Sequence, residues 1–283
     1  MEYMVSESGN LLDYLLKNVN KPRNTLKHFL SNRLILVNKV VQTKFNYQVK
    51  PGDIIEIDTV PLKSKQIENF FDRFITSPLY SDDYFIVVNK PTNILVDGDE
   101  KSILPQINAF LKTRGHNEKA YLLHRLDKRT SGVLMFAKSN ELVNVLQNNW
   151  NELVSERKYY AITETKLLQD EGEFQDLLFE KSDGTVLVSN RGKLAITKYK
   201  LIAEKNGYFL YDVLILSGRK NQIRVQFSYH GSSLVGDSRY YGKRTDFHRL
   251  GLHCYHTKVR NPLNNQDYEF KTKMPKEFRT FFN

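Results

Sequence analysis

The sequence predicts an α+β protein in two parts. A small N-terminal module mixing helix and short strand leads into a larger domain built on a mixed, mostly antiparallel sheet. Three features of the chain support this. Leucines recur at helical spacing before residue 31. Short β-rich apolar runs bounded by Gly, Pro, Asn and Asp appear from residue 35 and again from residue 84. An amphipathic helical pattern over 141–153 stands between strand-like segments. Residues 1–60 read as the first module, 61–75 as a linker and 76–283 as the main domain; 283 residues suffice for a sizeable core.

The chain carries 42 Lys and Arg against 32 Asp and Glu, a formal charge of +10. That excess favours a polyanion, nucleic acid before membrane surface. One cysteine, Cys254, excludes an intrachain disulfide and a multi-cysteine zinc site, and fits a reducing compartment. No apolar run approaches the roughly 20 residues a membrane-spanning helix needs. The expectation is a cytoplasmic monomer without membrane contact.

In the first module, Leu11, Leu12, Leu15 and Leu16 predict one helix. After Lys21-Pro22-Arg23, Leu26, Phe29 and Leu30 predict a second, with Asn24 or Thr25 as its N-cap. Ile35, Val37 and Val40–Val41 read as short strands about Asn38-Lys39, and Pro51-Gly52-Asp53 as a turn before Ile54, Ile55 and Ile57. From Lys17 to Lys50 there are eight basic residues and no acid. Either this is a footprint for a phosphate backbone or a solvated surface. The order Arg23, Leu26-Lys27, Leu30, Val37-Asn38, Pro51-Gly52-Asp53 resembles the alpha-L RNA-binding domain first described in a small-subunit ribosomal protein. Arg33 and Lys39 stand where that family usually has Gly. The resemblance implies docking on structured RNA through phosphate contacts, with Arg23, Lys27 and Arg33 as candidates.

Beyond the polar segment Pro61 to Arg73, Tyr84–Val88 reads as a strand closed by Asn89-Lys90-Pro91, and Gln106–Leu111 as a helix. Lys90 is either a phosphate contact or an ordinary charge at a strand end. Next comes Tyr121 to Lys138, YLLHRLDKRTSGVLMFAK. A lone carboxylate, Asp127, lies among Arg125, Lys128 and Arg129 just before the apolar strand Val133–Ala137. Chemistry tends to sit on such loops, held by rigid elements, and the cations favour an ionised carboxylate able to act as nucleophile or base. The same residues also describe a salt-bridged surface loop.

His124-Arg125-Leu126-Asp127 with Thr130-Ser131-Gly132 resembles the H-R-L-D-x-x-T-S-G signature of the RluA-type RNA pseudouridine synthases. Asp83-x-x-Ile86-Val87-Val88-Asn89-Lys90-Pro91 resembles that family's opening strand, with Asn93 and Asp97 where it commonly has Gly and His. Glu141–Leu153 follows as an amphipathic helix whose Trp150 reads as a core residue. Arg157-Lys158-Tyr159-Tyr160-Ala161 resembles the family's K-x-Y-x-A, Arg157 replacing Lys. By that match, Tyr159 stacks on the target uracil and is placed to take part in proton removal from C5. Residues 173–201 suggest a hairpin region with an Asp183-Gly184 turn. Gly218 to Val225 resembles G-R-x-H-Q-I-R-V, with Asn221 for His, and makes Arg224 the partner of Asp127; without it, Arg224 is a charge at a strand end. Gly231, Gly236-Asp237 and Tyr241-Gly242 continue the likeness, with one extra residue before Tyr241. His248, His253, Cys254 and His256 fit no zinc spacing, so no metal is expected. Arg239, Lys243, Arg244, Arg249, Lys258 and Arg260 form a second basic stretch, either an RNA groove or plain surface.

The resemblance implies an isomerase that turns uridines of structured RNA into pseudouridine, with catalytic Asp127, Tyr159 and Arg224 and no cofactor. Arg125 would fill the space the flipped base leaves or hold the displaced nucleotide, and ribosomal RNA of the large subunit is favoured over transfer RNA. A noncatalytic RNA-binding or ribosome-assembly protein is the competing expectation. Glycoside hydrolysis would need a second facing carboxylate that the motif lacks.

Overall fold

The computed structural model describes residues 2–31, 34–57, 78–113, 119–242 and 247–282. The chain divides into two compact units, Met1–Arg73 and Phe74–Asn283. The expected linker from 61 to 75 and the candidate Arg33 lie outside the described residues.

In the first unit the elements are β1 (Glu2–Met4), β2 (Gly9–Asn10), α1 (Leu11–Asn18), α2 (Arg23–Ser31), β3 (Ile35–Val37), β4 (Val40–Val41), β5 (Gln48–Val49) and β6 (Ile54–Ile57). A sheet of order β1-β6-β3-β4 and the pair β2-β5 accompany the two helices. The helix-spaced Leu11, Leu12, Leu15, Leu26 and Leu30 pack with Ile35, Val37, Ile55 and Ile57 into one core. The second helix begins at Arg23, ahead of the expected caps Asn24 and Thr25, because the carbonyl of Pro22 already accepts from the Leu26 amide. Arg23 and Lys27 are both exposed on it, four residues apart and so on one face. Asn38 and Lys39 both take positive φ, 51° and 65°, as a two-residue hairpin loop requires. Asn38 ties that loop to the next strand, donating to Asp53 and accepting from the Ile54 amide.

The second unit contains β7 (Tyr80–Ser81), β8 (Phe85–Lys90), α3 (Ile103–Thr113), β9 (Tyr121–Leu122), β10 (Ser131–Ala137), α4 (Asn140–Asn148) and α5 (Trp150–Leu153). It continues with β11 (Glu156–Thr163), β12 (Glu171–Glu180), β13 (Val186–Val188), β14 (Lys193–Lys205) and β15 (Tyr208–Ile215). The last elements are α6 (Gln222–Tyr229), β16 (Leu252–Asn261), β17 (Gln266–Lys271) and α7 (Lys276–Phe282). The strands form one sheet of order β13-β12-β14-β15-β11-β16-β10-β8-β7, with β17 on β16 and β9 on β10. All its pairings are antiparallel except β10 with β16. The expected mixed, mostly antiparallel sheet is therefore present.

β10, the apolar run after Asp127, is buried along its whole length, as a continuous hydrophobic run demands. It can lie beside β16 only because residue 132 is glycine. Gly132 has φ +121°, and a Cβ there would collide with the backbone of Cys254. Ser139 caps α4 by accepting from the Leu142 amide, and Leu142 and Leu146 bury its apolar face. The predicted helix over 141–153 breaks at Asn149 into α4 and α5. Trp150 is half-buried between His124 and Arg157 instead of lying in the core. The expected turn at Asp183-Gly184 forms, Asp183 accepting from the Thr185 amide.

Two further placements differ from the sequence reading. Residues 222–229 form a helix, so Arg224 is not at a strand end. Arg249, assigned to a basic surface stretch, is buried: it donates to Ser131 Oγ and Leu250 O and lies over the Phe278 ring. A guanidinium with an acceptor and an aromatic face inside the fold can remain there.

Candidate active site

Asp127 sits in the loop between β9 and β10, and that loop is clamped at its backbone. Lys90, at the end of β8, donates to the carbonyls of Pro91 (2.9 Å), Lys128 (3.0 Å) and Thr130 (2.8 Å). Thr92 donates to Arg129 O at 2.8 Å, and the Thr130 amide to Asp127 O at 3.1 Å. His124 fixes the near end by accepting from the Met135 amide; burial pushes its pKa to about 3, so it stays a neutral acceptor.

These contacts correct the reading of Lys90 as a phosphate contact. Its side chain is 0% exposed, and its three donors match three backbone acceptors, leaving nothing to offer RNA. Burial lowers its pKa from 10.5 to about 7, against the opposing pull of Asp127. The unfolded chain keeps this proton up to about 10.5, whereas the folded chain keeps it only up to about 7. Folding releases the proton between those values, so this residue makes stability rise with pH across that window. Urea denaturation of Lys90→Met from pH 6.5 upward should show a flatter rise than the wild type. Parallel curves would mean that Lys90 does not titrate in this range.

Arg224 comes from α6, whose first turn is buried. Its Nη1 donates to Asp127 Oδ2 at 3.1 Å and to Asn221 Oδ1 at 2.8 Å. Its Nε and Nη2 grip Asp237 as a fork, at 2.7 and 2.9 Å. Burial opposes the charge on Arg224, but Asp237 and then Asp127 outweigh it and hold the pKa above its ordinary value. The Asp237 side chain is 0% exposed and the Asp127 side chain 29% exposed. Asp127 is thus the carboxylate that meets the pocket, and Asp237 is the anchor behind it. Asn221, where the resemblance leads one to expect His, takes φ +54° at the helix start and accepts from Arg224.

The pocket is a small, open-mouthed cavity of about 80 Å³. Arg125, Asp127, Arg157, Tyr159, Gly218, Arg219, Asn221 and Arg224 all line it. The structure therefore brings Asp127, Tyr159, Arg224 and Arg125 to one place. Tyr159 is 6% exposed. Burial, and then Cys254, raise its pKa well above the ordinary phenol, so the ring enters the pocket as a neutral phenol. A second cavity shares Asp127, Asn221 and Arg224 with the first and is bounded by Lys128, Arg129, Lys220 and Arg239. Three of the four residues weighed for metal are engaged otherwise, and the fourth, His248, is exposed. His253 pairs with Ser131 Oγ and Thr272 Oγ1, His256 faces Glu156 and Glu269, and buried Cys254 approaches Thr257 Oγ1.

A family model for RNA pseudouridylate synthase matches residues 84–229. The chain belongs to the RNA pseudouridylate synthase family. It is an isomerase that converts uridine in RNA to pseudouridine. The chain is 27% identical to the ribosomal large subunit pseudouridine synthase C of Vibrio vulnificus (strain CMCP6), covering 94% of this chain and 90% of that protein. It is 32% identical to the protein of the same name from Rickettsia felis (strain ATCC VR-1525 / URRWXCal2), covering 86% and 80%. The solved structure of human RNA pseudouridylate synthase domain containing 4 shares the fold, with a TM-score of 0.63 at 22% identity over 76% of this chain and 95% of that one. No described helix of this pseudouridine synthase is long and apolar enough to cross a membrane.

Sequence reasoning named Asp127, Tyr159 and Arg224 but passed over Asp237 and misread Lys90. Asp237 stood in view within Gly236-Asp237. What marks it is its fork with Arg224, a contact between residues 13 apart that no local pattern announces.

Proposed function

We propose that this enzyme modifies uridines of large-subunit ribosomal RNA, with Asp127 as the nucleophile, Arg224 as its partner and Tyr159 as the face under the target base. The observation that carries the proposal is the single-point contact of Arg224 Nη1 with Asp127 Oδ2, held by a guanidinium already locked on Asp237. A one-point contact orients the carboxylate and engages only one of its two oxygens. Isomerisation breaks the N1–C1′ bond, turns the uracil and joins C5 to C1′, releasing the C5 proton. The base must first leave its stack. Tyr159 then supplies a flat apolar face, and exposed Arg125 at the pocket wall is suited to occupy the vacated space. Because the phenol is neutral, the stacking role suits Tyr159 better than that of a free phenolate base.

The large-subunit target is supported by the names of relatives that align over most of the chain. Lys128, Arg129, Lys220 and Arg239 are placed to meet flanking phosphates. Arg23 and Lys27, on one exposed face of the N-terminal unit, suit a docking role of the alpha-L kind. We assign the enzyme to the cytoplasm as a monomer, in keeping with its free buried thiol. Tritium release from C5-labelled transcripts tests the target. Large-subunit ribosomal RNA should release label, and transfer RNA should not. Release from transfer RNA alone would move the target there.

A further inference from the structure

We propose that Arg157 hydrogen-bonds a carbonyl oxygen of the target uracil and stabilises the negative charge that the base acquires when its glycosidic bond breaks. This rests on Asp127 and Tyr159 holding the uridine in the pocket as proposed above.

Four guanidinium groups line that pocket, those of Arg125, Arg157, Arg219 and Arg224, and their commitments differ. Arg224 gives four of its five donors to Asp237, Asn221 and Asp127. Arg219 is exposed, with its Nε given to Leu194 O, and Arg125 is exposed at the wall. Arg157 is half-buried, and only its Nη2 has a hydrogen-bond partner among the described residues, Ser217 O at 3.0 Å. No carboxylate pairs with it among the described residues. A half-buried cation with one backbone acceptor has donors to spare for a ligand, and leaving it unmatched is costly.

Its position is fixed on two sides. The guanidinium lies over the Trp150 ring at 5.5 Å, and Trp150 leans on His124. It also lies against Gly218, where a Cβ would stand only 3.1 Å from Nη1 and 3.2 Å from Nη2. A side chain at 218 would press on the guanidinium and shift it by a few tenths of an ångström. Along β11, residues 157 and 159 point to the same side of the sheet, whereas Lys158 points away and pairs with Glu156 at 2.8 Å. Arg157 is thus the cation that shares a face with Tyr159, and its charge opposes the upward push on the Tyr159 pKa.

The chemistry calls for such a group. As the N1–C1′ bond breaks, its electron pair stays on the uracil and spreads from N1 onto the carbonyl oxygens O2 and O4, while the sugar carbon is taken up by Asp127. Arg157 gives up no proton; it donates a hydrogen bond that strengthens as the charge grows. A fixed donor aimed at developing charge acts chiefly on the rate, and removing one typically costs about 10²–10³-fold.

The test is a cycle between enzyme and substrate. The ribosomal transcript that releases tritium is prepared with 2-thiouridine or 4-thiouridine at the target, since sulfur is a weaker acceptor than oxygen. Single-turnover rates and RNA affinities are measured for wild type, Arg157→Met and Arg157→Lys. Arg157→Met should slow turnover of the normal RNA by roughly 10²-fold with affinity nearly unchanged, and Arg157→Lys should restore part of the rate. One of the two thio substitutions should slow the wild type but add nothing to Arg157→Met. Equal thio effects in both enzymes, or a wild-type rate for Arg157→Met, would overturn the proposal. If Arg157→Met does not fold, Arg157→Lys carries the same cycle, and a wild type indifferent to both sulfur atoms refutes it without any variant. A wild type that releases no label from normal RNA would instead count against the uridine-isomerising reading of the site.

Discussion

Asp127→Asn should abolish turnover, by on the order of 10⁴-fold or more, as loss of a nucleophile does elsewhere. The amide keeps the shape of the side chain and an oxygen for Arg224 Nη1, so the pocket should retain its geometry. It loses the charge and the nucleophilic oxygen. Arg224 keeps its fork on Asp237, and the Asp127 side chain is already 29% exposed, so no buried cation is stranded. The variant should therefore melt like the wild type and bind RNA with similar affinity. Tritium release under single-turnover conditions, with filter binding of the same transcript, checks both halves. Release at an undiminished rate would remove Asp127 from its role. Loss of rate accompanied by loss of folding would show that the carboxylate serves the scaffold instead.

Asp237→Asn should be the most damaging single change to stability at the site. Asp237 is fully buried and accepts from Nε and Nη2 of a guanidinium whose side chain is itself 8% exposed. Removing one partner of a buried pair typically costs about 3–5 kcal/mol, and here the loss falls toward the lower end because Asp127 still faces the guanidinium. Activity should fall as well, for a separate reason. Once released from Asp237, the planar fork of Arg224 can turn onto Asp127, the remaining carboxylate it touches, and occupy both of its oxygens. Urea denaturation and tritium release on the same preparation separate the two effects. An unchanged midpoint with full activity would show that Asp237 does not anchor Arg224.

Much of this was visible before the fold. The H-R-L-D and T-S-G strings, the Tyr at 159 and the Arg at 224 are local patterns, and the family's likeness carried them to one reaction. The departures at glycine positions could not be judged from the sequence. Asn93 and Lys39 stand where glycine is usual, and both hold positive φ, 67° and 65°, so the turns survive. Asn enters that region at little cost because its short polar side chain bonds locally. Lys39 has no such excuse and is held there by the hairpin around it.

Its likeness to the family implied which carboxylate, tyrosine and arginine come together, and by itself the sequence determined the two-part α+β plan and the strand that follows Asp127. Those follow from periodicity, turn chemistry and contiguous motifs, all of which act over a few residues. The tertiary structure decided what each charge does. Lys90 reads like any surface lysine until β8 places it beneath the Asp127 loop, 38 and 40 residues away from the carbonyls of Lys128 and Thr130. Arg224 finds Asp127 across 97 residues, and Arg249 turns inward to Ser131 across 118. Whether a charge is solvated, clamped or left waiting for a ligand depends on burial and on partners distant in sequence, and only the folded chain assembles those.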